Sequence, residues 1–186
     1  VDKRHIGMGS TAASTAMLQY EIDVPLYKLE KIVGEKNAAQ SYLLCYQSVL
    51  DLKDICKSLK ADTGFALKPS FQYASFKKDV AGLKKEQICR KNIGIQTEWL
   101  DEKMMLDKFG IQRYGGLLSE RGGQLDPYAF THALLYTSIQ KGLKVFDRTK
   151  VTDIEHPHKK VILTTEDKRK IQAKYLAIAC GYESQQ

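Results

Sequence analysis

An α/β protein is the fold class that the sequence predicts, and three observations carry it. Between residues 65 and 118 helical and strand-like patterns alternate without a sharp linker. A helix marked at both ends opens at Asp126-Pro127 and stops at Gly142, and short strand-like runs follow it. The run Leu176-Ala177-Ile178-Ala179-Cys180 is almost wholly apolar, as expected for a strand covered on both faces of a parallel sheet.

In chain order, Val1 and the polar run Asp2-Lys3-Arg4 read as the end of a strand, with the small-residue stretch 7–14 as the loop after it. The spacing of Leu26, Leu29, Ile32 and Val33 predicts a helix over 25–33, and Gly34 supplies its stop. A stronger helix spans about 37–59, with Tyr42, Tyr46, Val49 and Cys56 in a broad apolar stripe that implies extensive burial. Residues 65–76 contain Pro69 and mixed aromatics and read as an extended pair or hairpin. A third helix is expected over 78–92 with Val80, Leu83, Ile88 and Cys89 inward, then a strand over 95–100, then a helix capped by Asp101 and running to Phe109. Asp126 caps the next helix, with Phe130, Ala133, Leu134 and Thr137 on one face. Strands at 143–146, 151–154 and 160–164 should form a small meander that crosses between two core strands, the second being 176–180.

At 186 residues with 43% apolar content, the chain can bury a sizeable core and suits one domain or a little more. No window reaches the about 18 apolar residues of a membrane span, and Val1 to His5 lacks the order of a signal peptide. The four cysteines, Cys45, Cys56, Cys89 and Cys180, have neither metal-site spacing nor the density of a disulfide framework, so a reducing cytoplasm is the simplest setting. A net charge of +7 raises the question of a nucleic-acid partner. Basic residues are interleaved with acids, as in Glu166-Asp167-Lys168-Arg169-Lys170, which argues for a solvated surface instead.

Three segments taken together resemble the D-amino-acid-oxidase-like family of FAD-dependent oxidoreductases. In the first, Asp2 and Lys3 end a strand ahead of Gly9-Ser10-Thr11-Ala12-Ala13-Ser14. A carboxylate there can accept both ribose hydroxyls of the cofactor's adenosine, and small residues let backbone N–H groups approach a pyrophosphate. The second runs from Gly123-Gln124-Leu125-Asp126-Pro127-Tyr128 through the helix to 142–154, and the likeness places the backbone around Val151 against the adenine. The third is Ala179-Cys180-Gly181, similar to the family's Ala-Thr-Gly near the cofactor phosphates, with Cys180 in place of threonine.

The resemblance extends from Val1 to Ser184. It implies a partial Rossmann-like FAD-binding domain (1–23 and 122–186) with an inserted α+β substrate-side region (24–121). The family's Gly-x-Gly-x-x-Gly fingerprint is expected before Asp2, and further substrate-domain strands after Glu183. The parent enzyme would oxidise a small amino acid or amine by hydride transfer to FAD, while the 186 residues alone would be inactive and would not retain the cofactor. A glycerol-phosphate or 2-hydroxy-acid dehydrogenase of the same fold is the alternative within enzymes. A non-catalytic nucleotide or nucleic-acid binding module is the alternative outside them.

The cofactor-binding candidates are therefore Asp2, Lys3, Gly9, Ser10, Thr11, Ala12, Ala13, Ser14, Val151 and Gly181. Substrate chemistry in the family needs arginine or tyrosine to orient a carboxylate, which makes Tyr73, Arg113, Tyr114 and Arg121 candidates beside Gln19 and Tyr20. No catalytic residue is assigned. His156 and His158 read as a surface turn without a third metal ligand, His132 as a packed or half-exposed helix residue, and His5 as part of the cofactor region. Cys45 and Cys89 read as small hydrophobes.

Overall fold

The computed structural model describes residues 1–181, so the end of the resemblance, from residue 182 to Ser184, lies outside the described residues. The described chain is mixed α/β. It forms two compact units, one of Ser14–Leu134 and one of Val1–Ala13 with the residues from Leu135 onward.

The Ser14–Leu134 unit opens with β1 (Met17–Gln19), then α1 (Leu26–Val33) and the long α2 (Glu35–Ser58). Next come β2 (Ala66–Leu67), β3 (Ser70–Tyr73), a 3-10 turn at Lys77–Asp79 and α3 (Val80–Asn92). It continues with β4 (Glu98–Leu100), α4 (Glu102–Phe109), β5 (Gly116–Ser119), β6 (Gly122–Gln124) and the start of α5 (Pro127–Ile139). The strands make two antiparallel sheets of order β1-β6-β2 and β3-β5-β4. The helix signals work as the physics requires. Asp101 accepts from Met104 N at 2.9 Å, Asp126 accepts from Ala129 N at 2.9 Å, and Gly110 closes α4 at φ 67°.

The main core gathers Tyr20, Leu26, Ala38, Tyr42 and Ile95, and a smaller one gathers Ala74, Leu83 and Leu117. Several sequence expectations need correction here. Residues 65–76 are not a hairpin: β2 pairs with β6 and β3 with β5. Pro69 lies between them, and a proline without an N–H interrupts a ladder. On α1, Leu26 is buried, but Ile32 and Val33 are exposed, because the helix stops at Gly34 one residue after Val33. On α3, Ile88 is exposed and the buried face is Leu83, Glu86 and Arg90, which recur at helical spacing. The strand expected over 95–100 shortens to β4, while Ile95 joins the core.

The other unit holds β7 (Val151–Glu155), β8 (Val161–Thr165) and β9 (Lys170–Ala173) in an antiparallel meander. Its centre is β8, where Val161, Leu163 and Thr165 are buried in alternation. Residues 143–146 form no ladder strand. Their backbone is instead tied to the N-terminal segment: Asp2 N donates to Phe146 O (2.9 Å), Thr149 N to Asp2 O (2.8 Å) and Arg148 N to Arg4 O (3.1 Å).

The expected core strand 176–180 is also absent. Ala177 to Cys180 are exposed, and the third strand of the meander is β9. A fully apolar strand is buried only within a sheet covered on both faces, and no described strand pairs with 176–180 to make one. No helix among the described residues is long and apolar enough to cross a membrane.

Candidate cofactor and substrate site

The segment that carries Asp2 is extended and bonded to residues 146–149, and the Asp2 carboxylate bends the chain that follows by accepting from Arg4 N through Oδ1 at 2.8 Å. The carboxylate is exposed, so Oδ2 faces water. Beyond Arg4 the chain makes successive turns, with Met8 N bonded to His5 O (3.2 Å), Ala12 N to Gly9 O (3.3 Å) and Ala13 N to Ser10 O (3.2 Å). Gly7, at φ 78°, takes the left-handed conformation that such winding needs. Small side chains at 9–14 are what let this backbone coil tightly and stay approachable. His5 Nδ1 meets Asp147 Oδ2 at 2.7 Å, which fastens the loop to the segment paired with Asp2. Val151 opens β7 opposite Thr165, and Gly181 sits at φ 59° at the end of the described chain.

The substrate-side candidates fall into two groups on the Ser14–Leu134 unit. Gln19 is exposed at the end of β1, and its register partner is Gly122, the neighbour of Arg121. The Arg121 guanidinium lies 4.0 Å over the Tyr46 ring and donates to Tyr46 O at 3.3 Å. Tyr46 in turn meets the Tyr20 ring edge-on at 5.0 Å, so Tyr20 and Arg121 belong to one cluster, while Gln19 faces outward from β1. The second group is Tyr73 with Arg113 stacked at 5.6 Å, beside the exposed Tyr114. The two groups sit at opposite ends of β5, roughly 10 Å apart at the rise of an antiparallel strand.

A buried polar network was not anticipated from the sequence. Arg90 is 1% exposed, and its guanidinium serves four partners. Nε donates to Glu86 Oε1 (2.8 Å), Nη1 to Tyr20 Oη (3.0 Å) and to Glu21 Oε1 (3.4 Å), and Nη2 to Gln72 Oε1 (2.9 Å). Burial alone would lower the Arg90 pKa, but Tyr20, Glu86 and Glu21 more than offset it and hold the charge in place. Burial pushes the Tyr20 and Tyr42 phenols up, with Arg90 pulling the other way. Tyr20 is therefore anchored from the interior while Gln19, one residue earlier, faces out. One signal was available: Leu83, Glu86 and Arg90 share a helical face, with Glu86 and Arg90 at the i, i+4 spacing of an ion pair.

Cys89 Sγ donates to Glu30 Oε2 at 3.6 Å, and burial with that carboxylate pushes its thiol up to about 11. Cys45 is half-buried against the main core. His132 stacks with Tyr128 at 4.4 Å on an exposed face of α5. His156 and His158 occupy the exposed turn after β7, and no cluster of three or more metal-ligating side chains occurs among the described residues.

The sequence matches the family described as DAO, FAD dependent oxidoreductase, over residues 1–186. The chain belongs to this flavoenzyme family. Solved DAO-type structures superimpose on it. Glycine oxidase from Geobacillus kaustophilus does so with a TM-score of 0.80 at 20% identity, covering 98% of this chain and 48% of that one. L-proline dehydrogenase from P. horikoshii gives 0.72 at 15% identity, covering 92% and 43%. L-alpha-glycerophosphate oxidase from Mycoplasma pneumoniae, solved with FAD bound, gives 0.68 at 16% identity, covering 89% and 42%.

These likenesses establish the DAO fold for the chain. It spans about half the length of the structures it matches. No curated protein sequence matches the chain at a significant level.

Proposed function

We propose that the chain is part of an FAD-dependent enzyme that oxidises a small amino acid or amine. The observation that carries this reading is the Asp2 segment, held against residues 146–149 and running directly into a tightly wound loop of small residues. These residues fit the adenosine and pyrophosphate end of FAD. Asp2 Oδ2 faces water and can accept from ribose hydroxyls, with Lys3 beside it, and Gly9, Ser10, Thr11, Ala12, Ala13 and Ser14 present backbone and hydroxyl donors without bulk. Val151 and Gly181 complete the proposed cofactor set. When bound, FAD supplies the acceptor for the hydride leaving the substrate carbon.

The boundaries proposed for the cofactor part are 1–23 and 122–186, with 24–121 on the substrate side. Among the substrate candidates we favour Gln19, Tyr20 and Arg121 over Tyr73, Arg113 and Tyr114. Gln19 lies five residues after Ser14 on the strand that leaves the loop, and Arg121 stacks on the Tyr46 ring that meets Tyr20. A guanidinium can receive a substrate carboxylate through two parallel hydrogen bonds. Names among the structural relatives, glycine oxidase and L-proline dehydrogenase, support an amino-acid substrate. Glycerol phosphate is the second reading, favoured by the similarity to the glycerophosphate oxidase structure and by the net charge of +7.

The test is an absorption spectrum of the purified enzyme at the length of its relatives, followed by turnover with glycine, proline, a simple amine and glycerol phosphate. Flavin bands with bleaching by an amino acid or amine support the proposal. A protein that stays colourless after reconstitution with FAD overturns it, and bleaching by glycerol phosphate alone selects the second reading.

A further inference from the structure

Within the Ser14–Leu134 unit, α1, β3 and α3 line an open cavity of about 460 Å³, within the usual range for small-molecule sites. Three ammonium groups stand in its wall. Lys28, Lys78 and Lys85 line it, and none of the three forms an ion pair with a described residue; Lys28 and Lys78 only rest over the Tyr27 and Phe76 rings. The carboxylates that line it are already engaged. Glu86 accepts from Arg90 Nε through Oε1 and from Tyr27 N through Oε2, and Asp79 Oδ2 accepts from Phe76 N. Gln72 adds a further donor, because its Oε1 is held by Arg90 Nη2 at 2.9 Å and the amide nitrogen is thereby turned the other way, without a protein partner.

A glycine in the interior of a helix costs about 1 kcal/mol relative to alanine. Gly82 occupies such a position in α3, and a Cβ there would come within 3.1 Å of the Tyr27 hydroxyl. The absence of a side chain keeps that hydroxyl at the cavity wall. The result is a concave site with three unpaired ammonium groups, an oriented amide donor and an aromatic hydroxyl, opposed by carboxylates already bonded elsewhere. Such a donor surplus is stabilised by a compact multivalent anion.

We infer that this cavity is a binding site for a small phosphorylated molecule, separate from the cofactor loop and from the Gln19–Arg121 group. The test uses the enzyme at full length, with saturating FAD present so that the cofactor's own pyrophosphate site is filled. Inorganic pyrophosphate is titrated by calorimetry, with citrate as a multivalent anion of different chemistry. Saturable pyrophosphate binding at one site per chain is expected, weakened about tenfold or more by the double substitution Lys78→Gln with Lys85→Gln. A charge-matched control, Lys57→Gln with Lys144→Gln, should leave the affinity unchanged, because those lysines lie outside the cavity.

The substituted lysines are exposed, so both variants should fold, which their circular dichroism spectra check. The inference is overturned if pyrophosphate does not saturate at millimolar concentration in the FAD-loaded enzyme, if the control variant weakens binding as much as the cavity variant, or if citrate binds tighter than pyrophosphate. Because the readout is binding rather than turnover, a colourless enzyme that still binds pyrophosphate would defeat the flavin reading and leave this one standing.

Discussion

Arg90 is almost wholly removed from water, and it can remain charged there because each face of its guanidinium meets an acceptor or a ring. Removing one member of a buried ion pair leaves the other uncompensated, which typically costs about 3–5 kcal/mol. Arg90→Met should therefore lower the urea midpoint sharply, and adding Glu86→Leu should restore much of the loss, since the orphaned carboxylate is then gone. A double-mutant cycle measured by urea unfolding checks this, and additive losses would contradict it. Glu86 and Arg90 are also the residues that a hydrophobicity pattern misses: charge on a helix reads as solvent-facing, and only the mutual spacing of the two hints otherwise.

The Cys89 thiol is raised from 9.0 to about 11, and the Tyr20 and Tyr42 phenols are raised from 10.0. A group whose folded pKa lies above its unfolded value contributes stability below the unfolded value and loses it as pH rises through the folded one. Stability to urea is thus expected to fall as pH climbs from 9 toward 11. Cys180, exposed where Cys89 is not, should be alkylated well before Cys89 at neutral pH, as mass spectrometry of the labelled protein would report. Asp2→Ala removes one charge-assisted acceptor and should weaken FAD binding about tenfold, read by quenching of flavin fluorescence, if Asp2 is the ribose ligand proposed.

Among the elements, β6 is closely hemmed in. It is paired on both edges, by β1 and β2, and a Cβ at Gly122 would sit 2.9 Å from Lys68 O and 3.2 Å from Leu18 O. Both contacts are backbone atoms that cannot swing aside. Gly122→Ala should cost roughly 1–3 kcal/mol, the range for overpacking, and should displace β1 with Gln19 on it. Thermal unfolding gives the first effect, and altered hydrogen exchange at residues 17–19 gives the second. The helix ends were readable because a cap is a local bond between near neighbours, as at Asp101 and Asp126. Strand partners were not, because pairing joins residues distant in sequence: β2 and β3 are three residues apart and enter different sheets.

At the scale of the whole molecule, the family was legible because its marks are short and carry chemistry in their order: an acid before a small-residue loop, then a proline-started helix before a meander. What composition and motif order determined was the α/β class, the capped helices and the flavoenzyme family. Tertiary structure alone decided that a charged cluster rather than an apolar stripe fills the inner face of α3. It also set Arg121 against the Tyr46 ring that meets Tyr20, and left 176–180 outside the described sheets despite its apolar run. The reason is common to all three. A local pattern reports what a residue prefers, whereas burial and pairing depend on which distant backbone and side chains arrive to satisfy it.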